Sequence, residues 1–152
     1  SPFATPFVSS SAPYLENADA RMNSDYLKIL FIEEDETDFL DTVMALANEA
    51  SCEVVHVQSN QEALLCLDRE AYDIVLLNLP DHHGLQTIEN LHRRSADTAI
   101  LILADFDDEE QVIAAVGQGA QGYLVKGHFD GATLNEYIRY AIGQHQFHLA
   151  RG

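Results

Sequence analysis

The stretch that decides the fold is KILFIEED at residues 28–35, in which four apolar residues, 29–32, are followed directly by three acids. An apolar run without alternating polar positions is typical of a strand buried on both faces, as in a parallel sheet. Four more such runs follow, each separated from the last by a segment with helical periodicity. The predicted strands span 28–32, 53–57, 73–77, 99–103 and 123–125, and the predicted helices span 37–50, 59–69, 85–93, 108–118 and 133–147. This alternation predicts an α/β fold, a doubly wound five-stranded parallel sheet with five helices.

The composition limits the class of partner. The 152 residues include 25 acids and 8 Lys and Arg, for a formal charge of -17. This sign is wrong for a protein that neutralises nucleic-acid phosphates or anionic lipid, so we expect no nucleic-acid and no membrane contact. The longest apolar run, residues 99–104, is far shorter than the roughly 18 residues of a membrane span. Cations and basic protein surfaces are the partners that the charge favours.

The two ends of the chain differ from its middle. Residues 1–24 contain three of the four prolines and no periodicity, and we interpret them as a flexible or packed N-terminal extension. Residues 25–147 form the predicted domain, and 148–152 are interpreted as a C-terminal linker stub. Cys52 and Cys66 show neither a disulfide framework nor metal-ligand spacing, which suggests reduced core thiols and a cytoplasmic protein.

Polar residues collect where the predicted strands end. The acids at 33–35 follow the first strand, Asn78 the third, Ala104 and Asp105 the fourth, and Lys126 the fifth. Ligands of open parallel sheets bind at this carboxyl edge. Carboxylates beside one lysine would suit a hard cation such as Mg²⁺, with the lysine free to hold an anion. The alternative is that these acids are solvated loop residues.

No motif of an enzyme is visible. The acids after the first strand would repel a phosphate, and the sequence has neither a serine nucleophile elbow nor a zinc-binding HExxH pattern. We interpret Asp81, His82 and His83, and likewise His145 and His148, as surface residues rather than metal ligands. A flavodoxin-like cofactor-binding protein stays an alternative, which the absorbance of a bound flavin would reveal.

Four segments resemble the receiver domains of two-component response regulators. They are KILFIEED at 28–35, YDIVLL at 72–77, LPDHHGL at 79–85 and GAQGYLVKG at 119–127. The resemblance covers about residues 27–145 and is closest to receivers at the N-terminus of multidomain kinases and cyclic-di-GMP signalling proteins. It implies the flavodoxin-like receiver fold and a role in bacterial signal relay, with a protein partner or an output domain.

The resemblance also implies roles for single residues. In that family an acid pair after the first strand binds Mg²⁺, a Thr or Ser and a Lys sense a phosphoryl group, and an aromatic on the last strand changes rotamer. Glu33 and Glu34 match the acid pair, Tyr123 the aromatic and Lys126 the lysine. Weak Mg²⁺ binding by the acid pair is therefore the only cofactor interaction that we expect.

The phosphoacceptor position departs from the family. Counted forward from the third strand, Asn78 stands in place of the usual aspartate; counted back from Pro80, the position falls on Leu76. Ala104 occupies the sensing position and has no hydroxyl. A neutral amide is a far weaker nucleophile than a carboxylate. We predict a pseudo-receiver that is not phosphorylated in the ordinary manner; the alternative is phosphorylation on another acid such as Asp81.

The last predicted helix carries an exposed aromatic stripe. Tyr140 and Phe147 lie one heptad apart, beside the core stripe of the same helix. We predict that they contact a protein partner, or a second copy of the chain in a homodimer. The alternative is that they are isolated exposed aromatics without a role.

Overall fold

The computed structural model describes residues 5–9, 26–79, 84–104 and 109–151, with side chains described for 26–78, 86–104, 110 and 113–145. The strands of the described part are β1 (Thr5–Ser9), β2 (Leu27–Ile32), β3 (Cys52–Val57), β4 (Ile74–Leu79), β5 (Ala99–Ala104) and β6 (Gly122–Val125). The helices are α1 (Glu36–Ala47), α2 (Asn60–Arg69), α3 (Gly84–Arg94), α4 (Glu109–Gly117) and α5 (Gly131–Arg151). None of these helices is long and apolar enough to cross a membrane.

The strands form one sheet in the order β1-β3-β2-β4-β5-β6. All pairings among β2 to β6 are parallel, with α-helical crossovers between consecutive strands. The predicted five-stranded parallel sheet with five helices is confirmed. Ser59 caps the second helix, because its Oγ accepts a hydrogen bond from the backbone N–H of Glu62 at 3.2 Å.

An additional strand, β1, lies in the segment for which the composition predicts no regular structure. It pairs antiparallel with β3, with Thr5 opposite His56 and Ser9 opposite Cys52. The free edge of β3 presents backbone donors and acceptors, so a segment can pair there without an alternating side-chain pattern. Pro6 is compatible with this place because proline is tolerated on edge strands.

Two helix ends also differ from the prediction. Helix α1 ends at Ala47, and the next residues form a turn in which the N–H groups of Glu49 and Ala50 donate to the carbonyl of Leu46. Helix α5 continues to Arg151, four residues beyond the predicted end at 147. The sequence after Gly143 contains no proline or glycine before the final residue, and the helix therefore has no local reason to stop.

The sheet carries one apolar cluster on each face. Successive residues of a strand belong to opposite clusters. Phe31 and Leu76 lie in the cluster on one face, and Leu30 and Leu77 lie in the cluster on the other. The first face is covered by α1 and α5, and the second by α2, α3 and α4. The parity of a residue within its strand thus decides which helices it meets.

The two cysteines lie in different clusters and are both buried and unpaired. Burial raises the pKa of the Cys52 thiol to about 11 and also raises that of Cys66. Because the thiolate is the reactive form, we expect both to react with a disulfide reagent at pH 8 at least about a hundredfold more slowly in the native protein than in urea. Rapid native titration of either thiol would contradict the described packing.

Candidate functional site

Three polar side chains meet at the carboxyl edge of the sheet, on the face covered by α1 and α5. Each lies two residues beyond a core residue of that face, and alternate residues of a strand share a face. Glu33 follows β2, Asn78 lies in β4 and Lys126 follows β6. Leu76, the other sequence position considered for the phosphoacceptor, is buried in the apolar cluster of that face. Asn78 is therefore the β4 residue that contacts the acid.

Glu33 is the centre of the site and is 1% exposed. Its Oε1 accepts a hydrogen bond from Lys126 Nζ at 2.6 Å, and its Oε2 accepts from Asn78 Nδ2 at 2.9 Å and from the backbone N–H of Asp35 at 3.2 Å. The amide oxygen Oδ1 of Asn78 is buried and has no hydrogen-bond partner in the described structure. Both carboxylate oxygens of Glu33 are thus engaged by donors of the protein itself.

Lys126 also joins the sheet edge to helix α1. Its Nζ lies 3.1 Å from Asp38 Oδ2, and its side chain is 15% exposed. The backbone N–H of Lys126 donates to the carbonyl of Ala104 at 2.7 Å, which fixes the start of the loop after β6. At the other end, Asp35 caps α1 by accepting from the N–H of Asp38 at 2.9 Å. One ammonium group therefore balances a buried and a partly exposed carboxylate.

His56 supports the site from β3, a role that the sequence analysis missed. Its Nε2 donates to the backbone carbonyl of Glu33 at 2.7 Å, and its ring stacks on Phe39 with 3.8 Å between centroids. The sequence feature that could have indicated this role is a histidine within a strand, between two valines that are both buried. That position requires the ring to find a polar partner.

The other sequence-predicted residues lie elsewhere. Glu34 is exposed and takes no part in the network around Glu33, because consecutive residues leave an extended chain in opposite directions. Ala104 is wholly buried in the apolar cluster on the opposite face of the sheet. Tyr123 is half-buried and packs against that same cluster. The structure thus brings together the side chains of Glu33, Asn78 and Lys126 but not those of Glu34, Ala104 and Tyr123.

The donor set does not fit a magnesium ion. The carboxylate of Glu33 is satisfied by N–H donors, and Glu34 lies outside the network. Within the described ranges, no three His, Cys, Asp or Glu side chains are grouped to hold a metal. The ammonium of Lys126 and the amide of Asn78 supply nitrogen donors to Glu33, whereas a magnesium ion requires oxygen ligands.

The predicted interface residue Tyr140 is 65% exposed on α5. With Glu136 and the exposed Tyr137 it lines a surface cavity of about 400 Å³. Phe147 belongs to α5, but its side chain lies outside the described residues. An exposed apolar face of α5 is therefore present at the predicted position.

One of the histidines interpreted as exposed is buried. His145 is 6% exposed, and its Nε2 donates to the carbonyl of Ala96 at 2.5 Å while Nδ1 lies 3.3 Å from Gln121 Nε2. It lies on the core stripe of α5, eleven residues after Leu134 and inside the helix predicted for residues 133–147. The side chain of His148, and the residues Asp81, His82, His83 and Asp105, lie outside the described part.

The chain is similar to a known protein family and to several of its members. The family model for the response regulator receiver domain matches residues 29–139. The chain is 31% identical over 121 residues to the response regulator protein FleR of Pseudomonas aeruginosa, covering 77% of this chain and 25% of FleR. It is 27% identical over 122 residues to the transcriptional regulatory protein DegU of Brevibacillus brevis, covering 78% and 51%. The chain thus spans between a quarter and about half the length of these relatives.

Solved structures agree in fold. A response regulator from Thermotoga maritima aligns with a TM-score of 0.71 and 25% identity, covering 78% of this chain and 98% of that one. A CheY-like receiver domain protein from Methanospirillum hungatei aligns with a TM-score of 0.66 and 19% identity, covering 81% and 98%. From the match over residues 29–139, together with the fold, this chain belongs to the response regulator receiver domain family, the signalling module of two-component systems.

Proposed function

We propose that this receiver domain is a pseudo-receiver, which relays signals through protein contacts and is not phosphorylated in the ordinary manner. The observation that carries the proposal is the hydrogen bond from Asn78 Nδ2 to Glu33 at the end of β4. An amide there supplies no anionic oxygen to attack phosphorus. The methyl group of Ala104, buried on the opposite face, offers no hydroxyl to a phosphoryl oxygen.

The charge balance around Glu33 supports the same proposal. Lys126 and Asn78 both donate to the buried carboxylate of Glu33, so groups of the protein itself balance its charge. In this proposal the domain is not switched by a phosphodonor. Its role would then lie in its surfaces, with no catalytic activity of its own.

The proposal extends to the protein as a whole. Because the chain spans only part of the length of its bacterial relatives, we propose that it is the N-terminal part of a multidomain cytoplasmic signalling protein. Its partner would be another protein or an output domain, without nucleic-acid or membrane contact by this domain. The kinase and cyclic-di-GMP output classes implied by the resemblance stay a prediction.

Incubation with acetyl phosphate and Mg²⁺, followed by intact mass spectrometry under conditions that preserve acyl phosphates, tests the proposal. We expect no added phosphoryl mass, because the amide of Asn78 cannot form an acyl phosphate. A conventional receiver treated in parallel controls for the reagent. An adduct on the wild-type chain would contradict the proposal, and its loss in Asp81→Asn would support phosphorylation on Asp81 instead.

The exposed face of α5 gives a second test. We expect the double variant Tyr140→Ser and Phe147→Ser to weaken any self-association at least about tenfold, because apolar side chains would no longer leave water at the interface. Sedimentation velocity over a concentration series measures the effect. The matched control is Met44→Ser, which removes a side chain of similar exposure, 64%, from α1.

A wild-type protein that stays monomeric across the series would contradict self-association through α5. If both variants dissociate the dimer equally, the interface is not specific to α5.

A further inference from the structure

The outer edge of β3 is the feature from which we draw a new inference. Strand β3 pairs with β2 on one side, and its other side is covered by β1 over the five positions from Cys52 to His56. Without β1, the N–H and C=O groups of that edge would be unpaired, and such an edge is a template for another strand. This edge lies on the side of the sheet opposite β6 and is separate from the α5 surface.

Strand β1 is attached to the domain differently from the other strands. It is antiparallel and has one neighbour among the described strands, whereas β2 to β5 each have two. Pro6 lacks an N–H, so β1 has one backbone donor fewer than its length allows. Strand β1 is therefore an edge strand whose place on β3 another strand could take.

The connection from β1 to β2 is much longer than the distance that it has to close. Ser9 and Leu27 both lie opposite Cys52, on its two sides, so two strand spacings of about 10 Å in total separate them. The 17 residues from 10 to 26 can span about 56 Å when extended. The length of the connection thus allows β1 to reach the β3 edge of another molecule.

Backbone pairing is the same whether the strand comes from its own chain or from an identical one. Exchange of an identical element between two copies closes the same contacts and adds only the cost of association. We propose that the β3 edge is a strand-docking site, which residues 5–9 fill in their own chain and which the same strand of a second copy can fill, giving a dimer by reciprocal exchange. The proposal does not depend on whether the domain is phosphorylated.

Cross-linking between two full-length variants tests it. Val8 lies opposite Glu53 in the observed register. Val8→Cys in one chain and Glu53→Cys in a second, size-tagged chain can form a mixed disulfide in register only when β1 of one copy lies on β3 of the other. We expect this mixed dimer to form at least about tenfold more than with the control pair Thr5→Cys and Glu53→Cys, because Thr5 lies opposite His56, about 10 Å further along β3.

The double variant Val8→Cys and Glu53→Cys in a single chain completes the test. At low concentration we expect its disulfide to form within the chain, which reports the register of β1. Absence of that disulfide would overturn the proposal, because β1 would not occupy the β3 edge. Its presence together with no excess of mixed dimer over the Thr5 control, after the chains have been unfolded and refolded together, would overturn exchange.

Discussion

Lys126→Met is expected to lower the free energy of unfolding by about 3 kcal/mol, because it leaves the carboxylate of Glu33 buried without its ammonium partner. The pair is 2.6 Å apart, and Glu33 is 1% exposed. Methionine keeps the length of the side chain, so the change removes charge and donors rather than volume. Urea unfolding at pH 8 measures the loss.

A matched control separates the buried pair from ion pairs in general. Arg94→Met breaks the pair of Arg94 with Asp68, which is 2.7 Å long but has both side chains almost half exposed. Exposed pairs contribute about 0.2 to 1 kcal/mol, so we expect a much smaller loss. The double variant Lys126→Met and Glu33→Met should recover part of the stability, because no charge is then buried. Equal losses in Lys126→Met and Arg94→Met would show that Glu33 is not buried as described.

The strand pattern explains why much of the fold and half of the site could be predicted. Buried parallel strands are continuous apolar runs, and the residue that ends each run is evident in the sequence. Glu33, Asn78 and Lys126 could be named because each follows such a run. Which of the two acids at 33 and 34 enters the site depends on parity, and a one-residue uncertainty in the strand end reverses that choice.

The features that the sequence analysis missed depend on contacts between distant segments. His56 hydrogen-bonds the backbone of Glu33, which leaves no local pattern. His145 lies within the predicted last helix, but its partner, the carbonyl of Ala96, is 49 residues away in the sequence and leaves no local pattern. Strand β1 forms because β3 has a free edge, a property of the assembled sheet rather than of residues 5–9.

Asn78→Asp is the second large effect, because it restores the type of side chain that the family uses and yet should destabilise this protein. In the wild type, the amide N–H of Asn78 donates to Glu33 Oε2 at 2.9 Å. A carboxylate there would replace a donor with an acceptor and set two like charges in contact. We expect the free energy of unfolding to fall by about 2 kcal/mol at pH 8. The two carboxylates alone would cost more, but Lys126 still neutralises part of their charge.

Magnesium should distinguish this variant from the wild type. With a second carboxylate beside Glu33 the site gains oxygen ligands, and a cation that binds only the folded state stabilises it by mass action. Urea midpoints with and without millimolar Mg²⁺, at matched ionic strength, should therefore rise for Asn78→Asp and change little for the wild type. Asn135→Asp is the control for added charge, because Asn135 Oδ1 already accepts from Arg139 at 3.2 Å and the change creates an ion pair on α5 away from the site. If Mg²⁺ raises the urea midpoints of all three proteins equally, the effect is general screening of a chain with a charge of -17. That result would also mean that Asn78 does not face Glu33.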